Sequence, residues 1–217
     1  MTTAVVIASG DLVAGDEAHL AAGRIVVAAD GGAQSAERHG RRADLVVGDL
    51  DSIDPDLLER LRAAGVPIER HPADKEASDA ELAIERARAL GAQRIVLLGA
   101  TGGERLDHEL ANLLLVADPR YAGLDLRLVR GVSTVRALHG GAMLDLEAGI
   151  GDVITLLPVA GDAMGVHTDG LAWPLDGETL TFGRSRGLSN AVVATPASVQ
   201  LEQGTLLVVT THGGSPA

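Results

Sequence analysis

The chain has 217 residues, enough for one large domain or two small ones, with 46% hydrophobic and 22% charged residues, an ordinary globular balance. A formal net charge of −12 argues against nucleic acid as a partner and suits cationic ligands or Mg²⁺. There is no cysteine, which excludes disulfides and thiolate metal sites, and only Tyr121, Trp173 and Phe182 are aromatic, so the core must be built from Leu, Val, Ile and Ala.

The opening "MTTAVVIASG" has no basic flank, and its apolar run is short for a signal peptide. No stretch is long and apolar enough to span a membrane, and a cytoplasmic enzyme or binding protein is the expectation. Ala4–Ala8 reads as the first strand. Helical patterns and short apolar runs then alternate: helix over Asp16–Ala22, strand over Ile25–Ala29, helix over Ala33–His39, strand over Leu45–Val47. Asp54 followed by Pro55 is a good N-cap with proline at the first helical position, which starts a helix over Asp56–Ala64. A strand over Val66–Glu69 follows. Ser78 and Glu81 have capping-box spacing and start a helix over Asp79–Leu90. A strand over Arg94–Leu98, a helix over Leu106–Ala117 and a strand over Leu124–Val129 complete the series. Strands alternating with helices predict βαβ units and a Rossmann-like parallel sheet.

After Gly131 the helical periods stop. "STVRAL", "AMLDLE", "DVITLLPV", "AVVATPASVQLE" and "TLLVVTT" are short runs separated by Gly, Asp and Pro, the pattern of an antiparallel β domain. The expected organisation is an α/β domain over 1–131 and a β-sandwich over 132–217, with the tail "HGGSPA" frayed.

Ligands of open α/β sheets bind at the carboxyl ends of the strands, and three acid-rich segments fall there. In "GDLDS" an extended backbone would point Asp49 and Asp51 to one side, where two carboxylates repel unless a cation lies between them. In "HPADKEASDAELA" the helix cap accounts for Ser78 and Glu81 and the helix dipole favours Asp79, leaving Asp74, Lys75 and Glu76 as a charged cluster past a strand end. In "LLGATGGERLDHELANLLL" a buried strand runs into a glycine turn, where the backbone N–H groups of Gly102 and Gly103 could approach phosphate and Arg105 could clamp it. It is neither a P-loop nor a G-x-G-x-x-G turn. None of the seven histidines has H-E-x-x-H spacing. The three segments together suggest a Mg²⁺–phosphate site.

With those segments, "ADGGA" (29–33), "GDLDS" (48–52), "DKEASDAE" (74–81) and "GATGGERLDHELAN" (99–112) resemble the thiamine pyrophosphokinase family, as do "DGLAWPL" (169–175) and "GLSN" (187–190) in the second half. The resemblance implies a catalytic α/β domain followed by a thiamine-binding β-sandwich, and a homodimer with its sites between subunits. It implies transfer of diphosphate from ATP to the thiamine hydroxyl, with Mg²⁺, giving thiamine diphosphate and AMP. By that resemblance Asp49, Asp51 and Asp74 hold the metal and Asp79 joins them. Arg105 and Asp107 lie beside the transferred group, and Asp30 and Gly31 border the nucleotide. Trp173 stacks on thiamine, while Ser189 and Asn190 hydrogen-bond its pyrimidine. Glu76, Ser78, Glu104 and Leu188 depart from the family pattern without removing any of these groups. The alternatives are a diphosphokinase for another small alcohol, such as a hydroxymethylpterin, and a non-catalytic nucleotide-binding module. The first should lack the "GLAW" and "LSN" segments; the second should lack Asp49 or Asp51, and both are present.

Overall fold

The alternating apolar and helical segments of the first 130 residues fold into a parallel sheet. A computed structural model describes residues 1–213. The chain divides into two units, one formed by Met1–Leu115 with Leu124–Gly131, the other by Val116–Gly123 with the described residues from Val132 onward.

The first unit contains strands β1 (Thr3–Ile7), β2 (Ile25–Ala29), β3 (Leu45–Gly48), β4 (Ile68–Arg70), β5 (Arg94–Leu98) and β6 (Asp125–Arg130). They lie in the order β6-β5-β1-β2-β3-β4, and every pairing is parallel. Between them run α1 (Asp16–Ala22), α2 (Gly32–Arg38), α3 (Pro55–Ala63), α4 (Asp79–Ala89) and α5 (Leu106–Val116). Val5, Ile7, Val26, Ala28 and Val46 face one way and pack on Leu20 of α1, Ala33 and Ala36 of α2, and Leu57 and Leu61 of α3. Their neighbours Ala4, Val6, Val27 and Val47, pointing the other way by strand alternation, are also fully buried. Helix α4 runs against β1, β2 and β3, burying Ala80, Ala83, Ile84 and Ala87, and covers that second face. A sheet covered on both faces explains why its strands are continuous apolar runs. The expected helix starts are in place: Asp54 accepts from the Leu57 N–H at 2.8 Å and Ser78 from the Glu81 N–H at 3.2 Å. The fourth strand begins two residues later than expected because the Val66 N–H donates to Leu61 O and closes α3.

The second unit is a β-sandwich. One sheet holds β12 (Asn190–Ala191), β9 (Val153–Pro158), β14 (Thr205–Thr211) and β7 (Ser133–His139) in that order. The other holds β11 (Asp176–Leu180), β10 (Ala163–Asp169), β13 (Ala197–Gln203) and β8 (Ala142–Leu146). The pairings within these sheets are antiparallel. Leu138, Ile154, Leu156, Leu206 and Val208 from the first sheet share one core with Leu144, Val166, Leu180, Val199 and Leu201 from the second. Of the tail expected to fray, residues 214–217 lie outside the described residues. Gly213 donates its N–H to Asp152 at 2.9 Å, and the His212 ring lies 2.7 Å from the same carboxylate.

Candidate active site

Three carboxylates converge at the carboxyl ends of β2 and β3. Strand β2 ends at Ala29, and Asp30 follows in a left-handed conformation, φ +45°. Its N–H donates to Val47 O at 2.9 Å, which fixes the turn against β3. Strand β3 ends at Gly48, and Asp49 comes next. Asp79 enters from the first turn of α4, directly after its Ser78 cap. Carboxylate oxygens of Asp30, Asp49 and Asp79 lie within 4.8 Å of one another. Gly48 makes this possible: a Cβ there would sit 3.0 Å from Asp30 Cβ and 3.1 Å from Asp79 Oδ1. Any side chain at 48 would occupy the space between the two acids.

Asp30 is 3% exposed. Its Oδ2 accepts from the Ser52 N–H at 3.0 Å, but the buried Oδ1 has no hydrogen-bond partner. Burial raises its pKa above the usual carboxylate value, Ser52 opposes this, and the charges of Asp51 and Asp49 add to the rise. Asp49 shifts the other way. Burial pushes it up, but the Asp51 N–H and the Lys75 charge outweigh that and hold it below the usual range. The Lys75 ammonium lies 3.4 Å from Asp49 Oδ2 and 3.0 Å from Asp79 Oδ1. The second contact is an ion pair without hydrogen-bond angles, so Asp79 Oδ1 too lacks a hydrogen bond. A buried carboxylate with one unpartnered oxygen, clustered with two further carboxylates, is a donor set that fits a hard divalent cation.

The cluster differs from the expected metal set of Asp49, Asp51 and Asp74. The segment from 49 to 51 is not extended: Leu50 has φ +68°, so a turn and not strand alternation sets Asp49 and Asp51. The Asp51 N–H donates to Asp49 Oδ1 at 3.3 Å, while Asp51 Oδ1 accepts from the Ser52 hydroxyl at 2.9 Å. Asp51 is exposed and lines a cleft of about 460 Å³ together with Asp49, Arg70, His71, Pro72 and Ala73. Asp74 is exposed and outside the cluster. Asp30, which the resemblance placed beside the nucleotide, is one of the three clustered carboxylates, and buried Gly31 adjoins it. Arg70 and His71 were not singled out, and Lys75 only as a member of a charged cluster past a strand end. The strand-end rule could have found Arg70 and His71, since they close β4 as Asp49 closes β3.

The glycine turn is held from within. Gly102 donates its N–H to Glu109 Oε1 at 2.8 Å, so this expected phosphate donor is already engaged by α5. Asn112 donates to Ala100 O at 2.9 Å and Arg130 to Thr101 O at 2.6 Å. Gly103 is exposed. Arg105 grips Asp107 through two bonds, at 2.9 and 2.6 Å, with both side chains about two-thirds exposed. The guanidinium holds the Asp107 carboxyl down to about 2. Beyond this loop, α5 turns Leu106, Leu110 and Leu114 outward, three exposed leucines at four-residue spacing on one helix face.

In the sandwich, Trp173 is 58% exposed. Its ring is a surface group, and its turn is fixed by one side chain. The Trp173 N–H donates to Asn190 Oδ1 at 3.0 Å, and Asn190 Nδ2 donates back to Trp173 O at 2.7 Å. One acceptor and one donor of the Asn190 amide are thus spent on this backbone, not kept for a ligand. Ser189, beside it, has φ +58°; its N–H donates to Thr155 Oγ1 at 3.0 Å, and its hydroxyl has no partner among the described residues.

The sequence matches two family models: the thiamin pyrophosphokinase catalytic domain over residues 18–128, and the thiamin pyrophosphokinase vitamin B1 binding domain over residues 143–206. It is 25% identical over 163 residues to a thiamine pyrophosphokinase of Bacillus subtilis, covering 75% of each chain. It is 27% identical over 161 residues to thiamine pyrophosphokinase 1 of Oryza sativa, covering 70% of this chain and 60% of that one. Among solved structures, the crystal structure of the Bacillus subtilis thiamine pyrophosphokinase superposes with a TM-score of 0.84 at 22% identity, covering 98% of this chain and 100% of that one. The yeast thiamin pyrophosphokinase superposes at 0.80 and 14% identity, covering 97% and 86%.

Proposed function

The chain belongs to the thiamin pyrophosphokinase family and is a thiamine diphosphokinase, and on that premise we propose that it transfers the diphosphoryl group of ATP to the thiamine hydroxyl, with Mg²⁺ held by Asp30, Asp49 and Asp79. The observation that carries the metal assignment is buried Asp30, which keeps one oxygen, Oδ1, unpartnered and brings a carboxylate oxygen within 4.8 Å of those of Asp49 and Asp79. A divalent cation bound there supplies charge neutralisation to the phosphates and makes the β-phosphorus a better electrophile.

The remaining work falls to the chain's own residues. Arg70 and His71 line the cleft beside Asp49 and Asp51, and a guanidinium in that place suits phosphate oxygens. Arg105 is exposed and carries Asp107 with it, a pair that opens towards incoming phosphate by exchanging one carboxylate for another anion. The thiamine oxygen bonds to the β-phosphorus as the bond from that phosphorus to the α-phosphate oxygen breaks; AMP leaves and the hydroxyl proton is lost. The first unit serves ATP and the metal. The sandwich serves thiamine, with the exposed Trp173 ring as a face for the cationic thiazolium and the free Ser189 hydroxyl as a polar contact. The outward leucines of α5 are suited to a second copy of the chain, and we take the working unit as a homodimer.

Incubation with ATP, Mg²⁺ and thiamine, followed by separation of the nucleotides, tests the reaction. Thiamine diphosphate and AMP should appear in equal amounts. ADP with thiamine monophosphate would overturn attack at the β-phosphorus.

A further inference from the structure

We infer that Lys75 is a positioning residue that stands in for the cation when the acid cluster is empty, and turns to the substrate phosphates when the cation enters. The inference rests on the reading that Asp30, Asp49 and Asp79 are the metal ligands.

Lys75 lies four residues before Asp79, so one ammonium links the start of α4 to the turn after β3. Its side chain is 14% exposed, well covered for a lysine. Three carboxylates within 4.8 Å need a counter-charge to stay together, and Lys75 supplies a single one. It also reaches only two of the three: Asp30 Oδ1 is left unpartnered. The cluster is therefore assembled but under-neutralised, and a divalent ion that met all three acids would bind better than the lysine does. Ion and ammonium cannot share Asp49 and Asp79 closely, because like charges repel. A lysine has a flexible four-carbon stem and three donors, so it can leave the carboxylates without breaking the fold. The anions that arrive with the ion are the phosphates of the nucleotide, and a displaced ammonium at the cluster's edge is placed to meet them. An arginine would not serve equally: its planar fork would hold a carboxylate through two bonds and give it up less readily.

The effects of removing Lys75 should have opposite signs. Lys75→Met and Lys75→Gln should bind Mn²⁺ about tenfold more tightly than the parent in the absence of nucleotide, the effect of one positive charge taken from a partly screened site. Both should melt lower in EDTA, with the gap closing as Mn²⁺ is added. Both should bind a non-hydrolysable ATP analogue with Mn²⁺ about tenfold more weakly. Mn²⁺ binding is read by electron paramagnetic resonance and analogue binding by calorimetry, with Asp49→Asn measured alongside. Unchanged or weaker Mn²⁺ binding in both lysine variants, or unchanged analogue binding, overturns the exchange role while leaving the metal assignment standing, provided Asp49→Asn has lost the ion. Parent protein that binds no Mn²⁺, or Asp49→Asn that binds it as the parent does, overturns the metal assignment and this inference with it.

Discussion

Asn190→Ala should loosen Trp173 before any ligand is present. The substitution removes both hydrogen bonds that fix the Trp173 backbone, at 3.0 and 2.7 Å. A protein hydrogen bond contributes about 0.5–1.5 kcal/mol net, and on this exposed turn the lower half of that range applies, about 1–2 kcal/mol for the two. If the ring binds thiamine only from the clamped conformation, the loss appears as a smaller competent population. At about 1.4 kcal/mol per tenfold, KM for thiamine should rise about five- to thirtyfold while KM for ATP stays put. Trp173 is the only tryptophan, so its fluorescence reports this site alone. Anisotropy should fall and iodide quenching should rise in the ligand-free variant. Asn190→Asp should fare no better, because it sets a carboxylate oxygen against Trp173 O in place of the amide donor. If anisotropy and quenching match the parent while KM for thiamine still rises, Asn190 acts by touching the substrate, and the clamp argument is wrong.

Gly48→Ala places a methyl group against Asp30 Cβ and Asp79 Oδ1, and should abolish Mn²⁺ binding to the ligand-free protein; retained binding would mean that the acids need no close approach. Asp16→Ala should cost about 3 kcal/mol in denaturant unfolding and leave turnover per folded molecule unchanged, because Asp16, only 1% exposed, accepts from the Val13 and Gly131 N–H groups at 2.9 and 2.7 Å and touches no site residue. Asp152 has its carboxyl held below the usual range by the Gly149 and Gly213 N–H groups, against burial and with help from His212. A depressed folded-state pKa adds stability above the unfolded value and loses it as the pH falls through the folded one. Asp152→Asn should therefore melt below the parent at neutral pH, with the gap closing as the pH falls below 3.8; a gap constant with pH would remove the carboxylate from the account.

The first unit was legible because its signals are local. Asp54 before Pro55, and Ser78 before Glu81, start helices through bonds that span three residues. Strands covered on both faces announce themselves as unbroken apolar runs. The sandwich was legible only where alternation is clean. Strand β10, "AMGVHTD", went unread because Gly165 interrupts it at φ +63° and its register with β11 shifts on both sides of Val166. Strand β11, "DGETL", shows little apolar pattern because four of its five residues are not buried. A bulge defeats the period-two rule at the point where the chain uses it to bend.

The acids were legible as a group but not in their arrangement, and the reason lies in the backbone. Apart from glycine, the residues with a positive φ among the described residues are Asp30, Leu50 and Ser189. Each falls inside a segment that the sequence marked for chemistry, and each costs about 1–2 kcal/mol relative to an ordinary conformation. Each is offset by a bond in or next to the turn: the Asp30 N–H to Val47 O, the Asp51 N–H to Asp49 Oδ1, and the Ser189 N–H to Thr155 Oγ1. Pattern rules assume that side chains two apart in an extended run share a face, so they paired Asp49 with Asp51. The turn at Leu50 replaces that extended run and sets Asp49 beside Asp79, thirty residues further along the chain, while Asp51 lines the same cleft as Asp49. Glycine at 50 would remove the conformational cost but also the side chain that packs on the core of the first unit, where Leu50 lies against the buried cluster. The chain thus retains a strained leucine because the same residue both anchors the turn and aims its neighbours.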